Sequence, residues 1–332
     1  MNAPLSAQAD AGAMLDQMHQ QFLAGPLARY DAAALQAWRP LRHSLWRRLQ
    51  PLMSLQAGMR SASVRIDDHQ LSYWQGGNLS GPTLLLLHGF GASRENWAFI
   101  APHLASQFRL LVPDLPGFGG SEFRFGADYA LGAQVDRLAA LIQTLNCGPV
   151  FVAGSSMGGA IAAQLAARHP DCVSAVCLMN AAGAPGRRMS VLESGVAAGR
   201  NYLAPQRRGD AAMVFQICLH RRHRLLGMGL SWVMAGEMCH RHPVNHYLFG
   251  HLVASLQDTW QRLVDIQAPT FVLWGDSDRV LDPSCSDVFA ERIADCQVMV
   301  MPGVGHLPML EEPAETARLL RDFWISKTEY SV

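Results

Sequence analysis

Charge is scarce in this chain: Asp, Glu, Lys and Arg supply only 16% of its 332 residues, against 49% hydrophobic ones. That balance describes a greasy globule with material for one large core and an excursion from it. Formal net charge is zero, which excludes the one-signed field of a nucleic-acid binder, so no nucleic-acid partner is expected. Cysteine pairing is missing as well. The seven cysteines, at 147, 172, 177, 218, 239, 285 and 296, form an odd set without C-x-x-C spacing, several inside apolar runs. This excludes a disulfide frame or a cysteine metal site and reads as small buried hydrophobes in a reducing, cytoplasmic setting. No basic residue precedes Arg29, so a secretory signal is not expected. Residues 138–167 are uncharged, yet Gly148-Pro149 and a glycine-flanked serine turn interrupt them, and residues 225–236 are too few to span a bilayer. Internal repeats and long low-complexity stretches are absent too.

What charge there is lies unevenly. Residues 1–60 carry six arginines against three acids and residues 187–262 carry ten against four, leaving the rest of the chain at −9. Basic flanks on an acidic body favour docking of anionic surfaces; solvated arginines are the plain alternative. Residues 1–10 are expected to fray. From 11 to 59 the pattern is helical, interrupted at Gly25-Pro26, Pro40 and Pro51, and no acid occurs from 32 to 60. Leu41, Leu45, Trp46, Leu49 and Leu52 recur at helical spacing among Arg39, Arg42, Arg47 and Arg48. A basic amphipathic helix with Trp38 and Trp46 suits a membrane interface. Peripheral association at the inner face of a membrane through residues 32–60 is therefore one expectation. Packing of the same face on the rest of the protein is the other. Oligomeric state is not legible.

Residues 64–66 and 71–74 predict an opening antiparallel hairpin. Strands follow at 83–87, 109–112, 150–153, 173–179, 270–274 and 297–301, with helices near 96–105, 130–145, 157–169, 283–293 and 314–326. The alternation predicts an α/β fold, a mostly parallel sheet covered by helices on both faces. Residues 183–262 break the rhythm: they are helix-like and rich in Arg, Met and His. His220, His223, His240, His242, His246 and His251 there have Arg neighbours and no nearby carboxylates, which favours surface histidines over a metal site. No metal and no cofactor is expected.

Chemistry concentrates at one pentapeptide. Gly154-Ser155-Ser156-Met157-Gly158 lies between the apolar run Val150-Phe151-Val152-Ala153 and a helical pattern from Ala160 to His169. That is strand, tight turn and helix with a serine at the apex, and glycine two places to either side where strand and helix nearly collide. An acylating serine needs a base, and the base needs an orienting acid. Downstream, Phe271-Val272-Leu273-Trp274 ends in Gly275-Asp276-Ser277-Asp278, and Val298-Met299-Val300-Met301 leads into Pro302-Gly303-Val304-Gly305-His306. Upstream, the run 83–87 ends in His88-Gly89-Phe90-Gly91, a loop able to aim a backbone N–H at an oxyanion. All four lie at strand ends, where an open α/β sheet places its ligands.

Together these residues resemble the α/β-hydrolase superfamily. The order Ser…Asp…His, the elbow and the His-Gly-Phe-Gly loop match its pattern, as does Val112-Pro113-Asp114-Leu115-Pro116-Gly117-Phe118-Gly119. The resemblance covers about residues 61–182 and 263–326. It implies a catalytic domain over 61–182 and 263–332, a helical cap or lid over 183–262 and an N-terminal helical arm over 1–60. It implies Ser156 as nucleophile, His306 as general base, Asp278 as acid, and the N–H groups of Phe90 and Met157 as the oxyanion hole. Asp276 and Asp282 crowd the same loop as Asp278, which the family's Gly-x-x-Asp spacing favours. Asn180 stands at an alternative family acid position and cannot serve as an acid. Asp114 is expected to shape its loop, and His88 to brace the oxyanion loop.

The layout is similar to the lipase and monoacylglycerol-lipase-like branch. It implies a serine hydrolase of small-molecule carboxylic esters, lipid-like or medium-chain, including monoacylglycerols. Carbon–carbon hydrolases of aromatic ring-fission products share the triad and cap and are the alternative. A perhydrolase or haloperoxidase ranks lower because such enzymes usually lack a large cap. A ligand receptor on the same fold ranks lower too, since the triad is complete. Epoxide hydrolases and haloalkane dehalogenases carry Asp at the elbow, so Ser156 disfavours both.

Overall fold

The computed structural model describes residues 5–328. Eight strands form one sheet: β1 (Met59–Ile66), β2 (His69–Gly77), β3 (Thr83–Leu87), β4 (Arg109–Pro113), β5 (Val150–Ser155), β6 (Val173–Met179), β7 (Thr270–Gly275) and β8 (Cys296–Met301). Their order is β1-β2-β4-β3-β5-β6-β7-β8. The pairings β1–β2 and β2–β4 are antiparallel and all others parallel. The opening hairpin is longer than its apolar residues suggested. Polar Ser61, Ser63 and Arg65 take ladder positions opposite Trp74, Ser72 and Gln70.

Alternation along the strands feeds two cores. Leu85 and Leu87 of β3 join Val152, Val176, Leu178 and Trp274 on one face, under the helices Leu131–Thr144, Met157–Arg168 and Cys285–Arg292. Leu84 and Leu86 join Phe151, Cys177, Met179 and Leu273 on the other, under Pro313–Thr328. A central strand buried on both faces favours apolar residues at successive positions, which is why 84–87 reads as a continuous apolar run; Thr83 at its start is buried with its hydroxyl donating to the Cys147 carbonyl. β8 closes an edge, and its Val298, Met299 and Val300 are exposed despite an equally apolar sequence.

Between β6 and β7 the chain passes through the helices Val191–Ala197, Ala211–Cys218, Arg224–His240 and His242–Arg262. Val214, Phe215, Ile217, Leu219, Ala235 and Met238 give this insertion a small core of its own. Its histidines are half-buried ties more than surface groups. His240 Nε2 bonds the carbonyl of Arg39, His246 Nε2 that of Arg29, and His242 Nδ1 that of Ala204.

The N-terminal segment departs from expectation in two ways. Helix begins at Leu5 and runs to Ala24, so residues 5–10 are not frayed, while residues 1–4 lie outside the described part. Packing holds it: Phe22 meets Phe249 at 5.9 Å between ring centroids. Pro51 does not interrupt the helix Leu45–Gln56. The lost backbone hydrogen bond there is offset by a Ser44 N-cap on Arg47 N–H and by Glu237, which accepts from Ser44 Oγ and Arg47. Of the two expectations for this segment, packing on the rest of the protein is the one that places Trp46, which is buried. The exposed apolar face is instead Leu45, Leu52 and Leu55.

Candidate active site

The parallel strands deliver their C-terminal loops to one end of the sheet. At the end of β5, Ser156 holds φ 55° and ψ −118°, a conformation that side-chain-bearing residues rarely adopt. A Cβ on Gly154 would lie 2.0 Å from the Gly158 oxygen, and one on Gly158 would lie 2.4 Å from the Leu87 oxygen. Both glycines are therefore required by backbone contact. The turn is tied down by Ser156 N–H to the Met179 carbonyl and by Ala182 N–H to the Ser156 carbonyl, each at 3.0 Å.

His306 and Asp278 meet at this end. His306 Nδ1 donates to Asp278 Oδ2 at 2.7 Å, and both residues are buried. Asp278 Oδ2 also accepts from Asn180 Nδ2 at 2.7 Å, while its Oδ1 accepts from the N–H groups of Val280 and Leu281 at 2.8 and 3.1 Å. Four donors on one carboxylate fix its orientation. The neighbouring acids are engaged elsewhere. Exposed Asp276 accepts from Gly303 N–H and Ser277 Oγ, and Asp282 caps Ser284. Ser156 and His306 line the same cavity, with no hydrogen bond between them within 3.5 Å among the described residues; such bonds often tighten only when substrate binds.

The β3 loop abuts the serine. A Cβ on Gly89 would stand 3.2 Å from Ser156 Cβ. Neither Phe90 N–H, in this loop, nor Met157 N–H, at the first turn of the elbow helix, has a backbone partner among the described residues. Free donors beside the serine of a strained turn suit a developing oxyanion. His88 anchors the loop from below: its Nδ1 donates to the Gly89 carbonyl at 2.8 Å and its Nε2 accepts from Leu115 N–H at 3.0 Å. Burial pushes its imidazole down to about 4, so it stays neutral and fixed in one tautomer. Asp114 accepts from the N–H groups of Arg94 and Gly120 at 2.7 and 2.8 Å and shapes its loop. Burial raises its carboxyl, with the Arg94 guanidinium pulling the other way.

Two apolar chambers open from Ser156. One lies under the helix Leu45–Gln56 and is lined by Trp46, Met53, Phe99, Met234, Met238 and His306, among others. The other is lined by Leu15, Met18, Leu192, Leu252, Val253 and Leu256, among others. They hold about 100 and 70 Å³, well below the roughly 300 Å³ of a usual ligand site. Side chains must give way on substrate entry, and the methionine lining suits that.

Several of these residues escape a reading of the sequence. Asn180, set aside as an acid, is the carboxylate's side-chain partner; its place just after β6, among the strand-end loops, was the available signal. Buried Glu311 accepts from Gly305 and Leu307 N–H on either side of His306 and from His220 N–H of the insertion. Nothing in the local pattern marks it. Leu15, Met18, Trp46 and Met53 reach the cavity from the N-terminal segment across long separations in the chain.

A model of the alpha/beta hydrolase family matches residues 84–319. The chain belongs to that family. It is similar to the monoacylglycerol lipase ABHD6 of Homo sapiens, at 31% identity over 284 residues covering 81% of this chain and 83% of the relative. Lipase 1 of Psychrobacter immobilis is 31% identical over 250 residues, covering 75% of this chain and 78% of the relative. Among solved structures, a bacterial membrane phospholipase A superposes with a TM-score of 0.76 at 32% identity, covering 86% of this chain and 91% of that one.

Proposed function

We propose that this member of the family is a serine hydrolase of lipid-like carboxylic esters, monoacylglycerols among them. Ser156 Oγ attacks the ester carbonyl while His306 takes its proton, and Asp278 holds the resulting imidazolium. The oxyanion rests on the N–H groups of Phe90 and Met157. Collapse expels the alcohol with a proton from His306, leaving the acyl group on Ser156, and water repeats the sequence to release the acid. The helical insertion acts as the cap over this centre, and the N-terminal segment as an arm that completes it.

One observation carries the reading: the strained serine shares a largely apolar cavity with His306, whose Nδ1 is held by buried Asp278. The lipase and monoacylglycerol-lipase relatives support the same bond type. The carbon–carbon alternative fits less well. A structural neighbour titled 2-hydroxy-6-oxo-6-phenylhexa-2,4-dienoate hydrolase, at 22% identity, shares the fold. A dienoate carries a carboxylate, and no Arg or Lys lines either chamber to meet it. The test is Ser156→Ala, assayed on p-nitrophenyl esters, monoacylglycerols and a ring-fission diketone. The parent should hydrolyse esters and react with a fluorophosphonate probe, and the variant should do neither. Equal labelling of both proteins would remove Ser156 from the mechanism.

The reading extends to peripheral attachment at a lipid surface. No helix among the described residues is long and apolar enough to cross a membrane. Support comes from Leu52 and Leu55, 61% and 78% exposed near Arg48, and from Leu225, Met228 and Trp232 exposed on the helix Arg224–His240. Arg221, Arg224 and Arg279 line a groove beside that helix, with no carboxylate among its lining residues. Apolar side chains ringed by arginines suit an anionic bilayer surface.

A further inference from the structure

The two chambers are not equivalent. Both reach Ser156 and Phe90, but His306 lines only the one under the helix Leu45–Gln56. When the tetrahedral intermediate collapses, the bond from carbonyl carbon to leaving oxygen breaks. That oxygen keeps the electron pair and takes the proton held on His306. The leaving alcohol must therefore sit within reach of the imidazole, and the acyl chain, left on Ser156, must extend the other way.

Polarity divides the chambers in the same sense. Asn96 lines the His306 chamber among Trp46, Met53, Phe99 and Met234. It is half-buried, its backbone N–H bonds the Ser93 carbonyl, and its side-chain amide has no hydrogen-bond partner among the described residues. The polar side chain of the opposite chamber, Glu193, is already occupied, accepting from Ser190 N–H at 2.7 Å within a helix cap. A half-buried amide with donor and acceptor both free of protein partners can give and accept a hydrogen bond with a ligand hydroxyl. Glu95 lines the same chamber; its Oε2 accepts from Ser93 Oγ and its Oε1, 3.6 Å from Arg94 Nε, has no hydrogen-bond partner among the described residues, so a ligand hydroxyl entering here meets polar groups that the opposite chamber does not offer beside His306.

We propose that the chamber holding His306 and Asn96 is the alcohol subsite and selects alcohols bearing a further hydroxyl, while the chamber of Leu15, Met18 and Val253 takes the acyl chain. The assignment rests on the ester-hydrolase reading above. A glycerol ester offers a hydroxyl within a carbon or two of the leaving oxygen, whereas a simple alkyl ester offers none. One neutral hydrogen bond in such a site corresponds to about tenfold in specificity.

The experiment compares 1-monodecanoylglycerol with propyl decanoate, both also as C6 to C14 acyl series. Asn96→Leu should lower the glycerol-to-propyl ratio of kcat/KM about tenfold, and Asn96→Gln should restore part of it. Met18→Trp should shift the acyl optimum to shorter chains on both alcohols without moving that ratio. Should Asn96→Leu fail to fold, Met53→Trp serves in its place, depressing glycerol and propyl esters relative to the methyl ester. The assignment is overturned if Asn96→Leu leaves the ratio intact, or if Met18→Trp changes the alcohol preference while Met53→Trp changes the chain length. A parent protein that hydrolyses none of these esters would instead sink the ester reading itself.

Discussion

The elbow end of the sheet and the helices above it are held by different kinds of force. Around Ser156, backbone meets backbone: Gly154, Gly158 and Gly275 each face carbonyl oxygens where a Cβ would lie 2.0 to 2.4 Å away. Above it, the helix Arg224–His240 includes Gly229, around which a Cβ would meet nothing within 4 Å, and Met53, Met234 and Met238 line the chamber with Trp46. Backbone contacts admit one residue type, while side-chain packing admits many of similar volume. The proposed catalytic centre sits on the first kind of scaffold. The proposed substrate walls sit on the second.

The carboxylates after β7 sharpen this contrast most. Asp278→Asn should lower kcat by about four powers of ten, because the amide cannot hold the imidazole in the working tautomer. Asp276→Asn, which touches only Gly303 and Ser277, should change kcat by a few-fold at most. Steady-state rates on one p-nitrophenyl ester decide it, and a reversal would move the acid one turn of the loop.

Glycine substitutions probe the two scaffolds directly. Gly158→Ala forces the elbow helix off the β3 carbonyls and should cost more than about 4 kcal/mol, enough to leave little folded protein. Gly229→Ala should stabilise by about 0.5–1 kcal/mol, since an exposed helical site gains only reduced chain entropy. Denaturant midpoints compare the two, and a mild effect of Gly158→Ala would break the distinction.

The same difference explains what could be read in advance. The Gly-x-Ser-x-Gly turn, the continuous apolar strands and the His-Gly-Phe-Gly loop are local patterns imposed by local crowding, so β3, β5, Ser156 and His306 could be placed from sequence. Asp278 could be separated from Asp276 only by a family spacing, because both carboxylates follow the same strand. Asn180 and Glu311 were hidden, since a hydrogen bond across 98 residues or an irregular turn leaves no periodic trace. Trp46 was legible as apolar, but whether it faces lipid or protein depends on Glu237, 190 residues beyond Arg47. The exposure of β8 was equally illegible, because its edge position comes from sheet order.

His88 offers a test through pH. Its imidazole sits at about 4 in the folded protein against an ordinary 6.5. Between those values the unfolded chain binds a proton that the folded one does not, so stability falls as pH drops through the window and levels off below it. The shift corresponds to about 3 kcal/mol for this fully buried group. The loss of stability from pH 7 to 4 should therefore be smaller by about that amount in His88→Gln, measured by urea midpoints. Equal slopes in both proteins would show that His88 is not held neutral by its burial beneath the Gly89 loop.

The smallest effect on the fold belongs to the arm. Leu52 and Leu55 are exposed on the helix Leu45–Gln56, so changing both to Ser should leave stability within about 0.5 kcal/mol per site. If they rest on a lipid surface, the same change removes most of two leucine burials from the bound state, and vesicle binding should fall by an order of magnitude or more. Trp232→Ser should add to the loss, since it belongs to the other exposed apolar face. Co-sedimentation with anionic and neutral vesicles at low and high salt separates the contributions. The arginines make binding weaken with salt, and the leucines make the residual salt-resistant. Binding by the double variant equal to that of the parent would leave the arm with one role, in which Trp46 and Met53 wall the chamber over Ser156 and the outward leucines face water.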